Sequence, residues 1–213
     1  PGGLPGDGWD GDKANRIKGK AKRSDDRVTG KSAAGNSIVI SGEKLRLTTG
    51  EKTVELLKVL RKSPTLGAKP PEKAKVLFDG KSAEHFKNGK MTDDGLLMQG
   101  VTSKELFQKC KVHIEFRLPY MPYATGQGRA NSGVYIQRRY EVQILDSFGL
   151  APVFNGCAAL YRQQVPDLNM SFPPLHWQTY DIFFTAARWN DSGEKIGDAQ
   201  ITVYHNGIAV HKD

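Results

Sequence analysis

The chain has 213 residues, 38% of them hydrophobic, and a formal net charge of +8. That length suits one generous domain or a domain with an appendage, and the apolar fraction is too high for a disordered chain. No apolar run approaches the roughly 18–20 residues of a membrane-spanning helix, and 23 glycines and 11 prolines set between short apolar stretches exclude a helical bundle.

The charge is one-sided. Residues 1–75 hold 17 Lys and Arg against 9 Asp and Glu, whereas the remainder holds 14 of each. A positive segment steers toward nucleic acid, acidic glycans or anionic surfaces. A solvated lysine-rich surface gives the same count, because Lys13, Lys18, Lys20 and Lys22 are interleaved with Asp7, Asp10, Asp12, Asp25 and Asp26. No nucleic-acid-binding motif accompanies the charge, so nucleic acid is not the expected partner. Cys110 and Cys157 form neither a disulfide framework nor a metal spacing and are expected to be buried free thiols. No signal peptide is visible in a chain that begins at Pro1, and an N-terminal segment is expected to precede it.

In chain order, residues 1–12 (PGGLPGDGWDGD) have turn chemistry and no core pattern. Strands are predicted at 37–41, 44–48 and 53–60, separated by Gly42 and by Thr49-Gly50 as in a small meander. Three prolines in SPTLGAKPPEKAK make the next stretch a linker or an extended strap. We therefore divide the chain into a basic, β-rich segment at 1–63, a Pro-rich linker at 64–75 and a β domain at 76–213.

From Val76 onward the pattern reads as β throughout. Val112, Ile114, Phe116 and Leu118 alternate with His113, Glu115 and Arg117, and Val134 and Ile136 with Tyr135 and Gln137. Val142 and Ile144 alternate with Glu141 and Gln143; strands at 178–184 and 200–204 continue the series, and Asn206-Gly207 supplies a type I′ hairpin turn. The fold class is an all-β sandwich or barrel. A sandwich stopping just after a hairpin leaves an edge strand unpaired, so at least one further strand is expected beyond Asp213.

The densest polar signal is NSGVYIQRRYEVQILD, residues 131–146. If its two halves pair through Arg138-Arg139, alternation puts Tyr135, Gln137, Glu141 and Gln143 on the face away from the core. The strand at 112–118 would add His113, Glu115 and Arg117 to that same face. Gln, Tyr, Glu and His suit sugar hydroxyls better than the Lys and Thr of an ordinary wet sheet face. Tyr161 and Trp177 offer rings for stacking on a sugar, although Trp serves equally as a core or rim residue. Asp146 ends its strand, where it can be catalytic, a metal ligand or an Asx-turn acceptor. His85, His205 and His211 stand isolated and are expected at the surface.

VLFDGKS at 76–82, HIEFRLP at 113–119, NSGVYIQRRYEVQILDS at 131–147, PPLHWQTYDI at 173–182 and HNGIAVH at 205–211 together resemble the 3-keto-disaccharide hydrolase family. The resemblance covers about residues 76–213, in order. It implies a concanavalin A-like jelly roll with a small β-rich N-terminal extension, and export to the periplasm or the exterior of a bacterium. It also implies that family members continue past this hairpin to further strands. The implied chemistry is cleavage of glycosides already oxidised at sugar C3: proton abstraction at C2, elimination of the C1 oxygen, then hydration. Such a site needs a base, an enolate stabiliser and an acid. By motif position Glu141 is the base or acid, with His113, Glu115 or Asp146 as partner. Arg117 or Gln143 would stabilise the oxyanion, and Asn131, Tyr135, Tyr161 and Trp177 would position the sugar. A divalent cation could polarise the ketone, but no ligand cluster in the sequence defines one, so no cofactor is assigned. Two other readings share the pattern: a non-catalytic carbohydrate-binding module of a larger exported protein, and a scaffold with a polyanion-binding basic segment.

Overall fold

A computed structural model describes residues 19–212, so the lead at 1–12 lies outside the described residues. Two compact units divide at Arg61 and Lys62. The architecture is all-β: among the described residues strands account for the regular structure, with one 3-10 turn at Gly126–Gly128.

The first unit is a five-stranded antiparallel meander, β1 (Gly19–Ser24), β2 (Arg27–Ser32), β3 (Ser37–Ser41), β4 (Lys44–Thr49) and β5 (Lys52–Leu57), in sheet order 1-2-3-4-5. Its last three strands stand where alternation predicts them. β1 and β2 were not foreseen, because lysine-rich segments carry few apolar residues to show a period. The register aligns Gly30, Ile38, Leu47 and Val54, and beside them Val28, Ile40, Leu45 and Leu56, giving one apolar face.

In the second unit, residues 76–108 contribute only β6 (Phe86–Lys87) paired with β7 (Thr102–Ser103), and a bridge between Met91 and Leu97. The expectation of continuous β structure from Val76 fails here. Turns dominate, with Gly80, Gly95 and Gly100 all at positive φ, so no strand can run on.

A four-stranded antiparallel sheet follows, built from β8 (Lys109–Arg117), β11 (Trp177–Thr185), β14 (Gln200–His205) and β15 (Ile208–His211) in the order β15-β14-β11-β8. The Asn206-Gly207 hairpin forms as predicted, with φ of 51° and 80°. Facing this sheet lies the hairpin of β9 (Ser132–Ile136) and β10 (Tyr140–Ile144). Residues 158–161 run beside β10 as an irregular third strand, Ala158 N–H donating to Gln143 O at 2.8 Å and Tyr161 N–H to Glu141 O at 2.9 Å. A small ribbon of β12 (Arg188–Trp189) and β13 (Lys195–Gly197) completes the described elements.

The core lies between the two layers. Val142 and Ile144 of β10 pack with Tyr180, Ile182 and Phe184 of β11, Val203 of β14 and Val210 of β15. Across it the Tyr180 hydroxyl donates to Gln143 O at 2.7 Å and lies 3.1 Å from Cys157 Sγ. Both cysteines are free; Cys157 is buried, which raises its thiol pKa, and Cys110 is half-buried.

The histidines depart from expectation. His205 and His211 are fully buried, with Nε2 atoms 3.1 Å from Gln178 Oε1 and 2.8 Å from Ala158 O respectively. His85 is half-buried, its Nδ1 2.9 Å from Glu105. Alternation along β14 turns His205 inward, and a bulge in the β14–β15 pairing lets Val210 and His211 both be buried. Hydrogen bonds make the two imidazoles tolerable there.

A strap at residues 63–67 is tied across the outer surface of the four-stranded sheet. Ser63 Oγ lies 2.6 Å from Thr179 Oγ1, Thr65 donates to Asp181 Oδ2 at 2.9 Å, and Gly67 N–H donates to Glu115. Pro64 sits over the hairpin turn: a side chain at Gly207 would meet the proline ring, with Pro64 Cδ 2.8 Å from its Cβ.

Candidate functional site

Apart from Asp146 and Gln137, the residues singled out from the sequence fall into two groups on opposite outer surfaces. One group lies on the outer face of the β9–β10 hairpin. Val142 and Ile144 point into the core, so Glu141 and Gln143 point away from it. Tyr135 stands directly across from Glu141, and Gly133 across from Gln143. Tyr161 is brought alongside by the backbone bond to Glu141. The Glu141 carboxylate beside Tyr135 favours the protonated phenol and raises its pKa.

Glu141 does not extend into solvent over Tyr135. Its carboxylate lies across the neighbouring strand on the space left empty at Gly133. A methyl group there would meet Glu141 Oε1, with Cγ and Cδ only 2.8 and 2.9 Å away. The glycine is needed for room rather than for backbone freedom, since its φ is not positive.

Three amides complete this surface. Gln143 Nε2 donates to Gln127 Oε1 at 3.0 Å and to Asn131 Oδ1 at 3.4 Å, and Asn131 Nδ2 donates to Gln127 O at 3.0 Å. Gln143 is 1% exposed, and its Oε1 has no hydrogen-bond partner among the described residues. An unsatisfied buried acceptor costs about 1–3 kcal/mol. Gln127 was not foreseen. Its only signal was the pair of glycines around it, which form the 3-10 turn that presents it.

The second group is on the outer face of the four-stranded sheet. His113 Nδ1 lies 3.0 Å from Asp181 Oδ1 and His113 Nε2 3.4 Å from Glu115 Oε1. Arg117 lies opposite Trp177, its guanidinium carbon 5.5 Å from the indole ring, and 3.5 Å from Asp94. The expectation that His113, Glu115 and Arg117 share a face with Glu141 is therefore corrected. β8 pairs with β11 and not with the β9–β10 hairpin, and the core separates the two surfaces. Gln137 also leaves the predicted face. It sits in the turn with Arg138, at φ of 52° and 56°, so the hairpin reverses one residue earlier than Arg138-Arg139.

Asp146 belongs to neither surface. It is 7% exposed, 3.1 Å from Arg129 Nε, and accepts from Phe148 N–H two residues on at 3.3 Å. Of the three roles open to it, the geometry contains the Asx-turn acceptor, reinforced by an ion pair. Among the described residues no group of three or more His, Cys, Asp or Glu is arranged to hold a metal ion.

Comparison with known proteins adds two findings. The sequence signature described as a 3-keto-alpha-glucoside-1,2-lyase-like domain matches residues 73–213. A crystal structure of a candidate glycosyl hydrolase from Parabacteroides distasonis superposes with a TM-score of 0.60 at 28% identity, covering 66% of this chain. The chain spans 65% of that structure's length. None of the curated proteins matches.

Proposed function

The chain belongs to the 3-keto-alpha-glucoside-1,2-lyase-like family, and on that premise we propose that it cleaves glycosides already oxidised at sugar C3, using Glu141 as the base. The observation that carries this reading is the Glu141 carboxylate itself, laid over Gly133, with Tyr135 directly across from Glu141 and a row of amides beside it.

The ketone at C3 acidifies the proton at C2. Glu141 removes that proton, and the electron pair of the C–H bond becomes the enolate. An amide N–H of the exposed Asn131 stabilises the oxygen as charge develops on it. The enolate then re-forms the ketone, C1 and C2 become doubly bonded, and the C1 oxygen leaves with its bonding electrons. Tyr135, which keeps its proton well into the alkaline range, is the neutral acid beside the base and supplies a proton to that oxygen. Water adds at C1 and a proton returns to C2, giving net hydrolysis. Tyr161, held alongside Glu141, flanks the ring. Trp177, Arg117, His113 and Glu115 serve the other surface, where His113, Glu115 and Asp181 hold the strap.

The test is incubation with a 3-keto-glucoside in deuterated water, with and without divalent cations. Release of the aglycone with deuterium at C2 is expected. Glu141→Gln should lower turnover by about 10²–10⁴-fold, the usual worth of a positioned base, without moving the melting temperature. Binding of glycans without release or exchange would assign the surface to a carbohydrate-binding module instead.

A further inference from the structure

The five-stranded sheet of the first unit sorts its side chains by face. Lys20 stands opposite Lys31, Lys22 opposite Thr29 and Ser24 opposite Arg27, and the same face continues through Ser37, Val39 and Ser41 to Thr48, Arg46 and Lys44. It carries six cations: Lys20, Lys22, Arg27, Lys31, Lys44 and Arg46. The acid on this face is Glu55, paired with Lys44 at 2.7 Å and Arg46 at 3.1 Å. Lys20, Lys22, Arg27 and Lys31 are exposed and make no ion pair among the described residues. Lys20 and Lys31 are directly opposite, which brings their β-carbons within about 5 Å and disfavours strand pairing unless an anion lies between the charges.

We propose that this face binds an acidic polysaccharide through its carboxylate or sulfate groups. Lys20 and Lys31 stand about 5 Å apart across the strands, and Lys20–Lys22 and Lys44–Arg46 are each about 7 Å apart along theirs, a surface suited to an extended chain that carries many acidic groups. A nucleic acid fits the surface poorly. Residues 19–61 contain no Phe, Tyr or Trp on which bases could stack. Five strands side by side span about 19 Å, too broad for a major groove of about 12 Å. The inference is independent of Glu141, which lies in the other unit.

The experiment measures binding of the full chain to polygalacturonate and dextran sulfate at graded salt, with neutral dextran and duplex DNA as comparators. Binding to both acidic polysaccharides that weakens with salt is expected, and none to neutral dextran. The variant K20Q/K22Q/R27Q/K31Q should bind about tenfold or more weakly, a loss of about 1.4 kcal/mol. K87Q/K90Q/K104Q/K109Q removes the same charge from exposed lysines of the second unit and should bind nearly as the parent does. Equal losses in the two variants, no binding, or tighter binding of duplex DNA would overturn the proposal. Melting curves check folding, and if the first variant melts early, the pairs K20Q/K31Q and K22Q/R27Q are compared in its place.

Discussion

A hydrogen atom at Gly133 decides where the Glu141 carboxylate can lie. Gly133→Ala puts a methyl group where the Glu141 side chain now rests, so the carboxylate must swing off the strand. Turnover of a 3-keto-glucoside should fall about 10–100-fold, on the scale expected when a catalytic group is misplaced by an ångström. KM should change little and the melting temperature should stay close to the parent's. Alternation alone found Glu141, Gln143 and Tyr135, because a period of two fixes which side chains leave the core. It did not find that Glu141 folds back over Gly133, since a missing side chain leaves no mark in a polarity pattern. Nor could it separate His113, Glu115 and Arg117 from Glu141. An outward direction is the same signal on either layer of a sandwich, and only strand pairing tells the two apart.

Between elements, short side-chain ties take over where backbone pairing is sparse. Asn206 occupies the first position of the β14–β15 turn, accepts from Thr179 N–H at 3.0 Å and donates to Met170 O at 2.8 Å, while 4% exposed. Asn206→Ala loses both bonds and a residue that tolerates positive φ, and should cost about 2–3 kcal/mol in urea unfolding. The turn was legible as Asn-Gly; its anchoring to β11 was not, because that contact is long-range. In the turn-rich stretch before β8, Glu105 joins His85 and Lys75, the latter at 2.5 Å. Hydrogen bonds first from Lys75 and then from His85 lower its pKa from 4.5 to about 2. A depressed carboxylate stabilises the fold above its unfolded pKa and loses that contribution as pH falls through the folded one. The melting-temperature gap between the parent and Glu105→Gln should be full at neutral pH and close between about pH 4.5 and 2. This stretch was misread as continuous strand because its apolar residues are real, yet the turns at Asp79-Gly80 and Gly95 break any register.

At the scale of the whole molecule, the basic excess belongs to the N-terminal third and the carboxylate of the candidate site to the second unit. Charge counting exposed that asymmetry at once. It could not show that six of the meander's cations, Lys20, Lys22, Arg27, Lys31, Lys44 and Arg46, collect on one face, which needs the register of β1 and β2. The prolines mark the next stretch as a linker or extended strap, but residues 63–67 fold as turns, Leu66 N–H donating to Ser63 O at 3.3 Å and Ala68 N–H to Thr65 O at 3.1 Å. Their docking on β11 was not legible either. Thr179→Val would leave the hydroxyls of Ser63 and Thr65 without their shared partner. It should cost about 1–3 kcal/mol and raise the rate of proteolytic cleavage near residue 62. The strap also has a consequence in time. Ser63 must find Thr179, 116 positions later in the chain. At a synthesis rate of about 5–20 residues per second, that partner is made about 6–23 seconds after the serine. The meander can close within residues 19–57 as soon as they leave the ribosome, whereas the strap that follows it in sequence has nothing to bind until the hairpin under Pro64 has been translated.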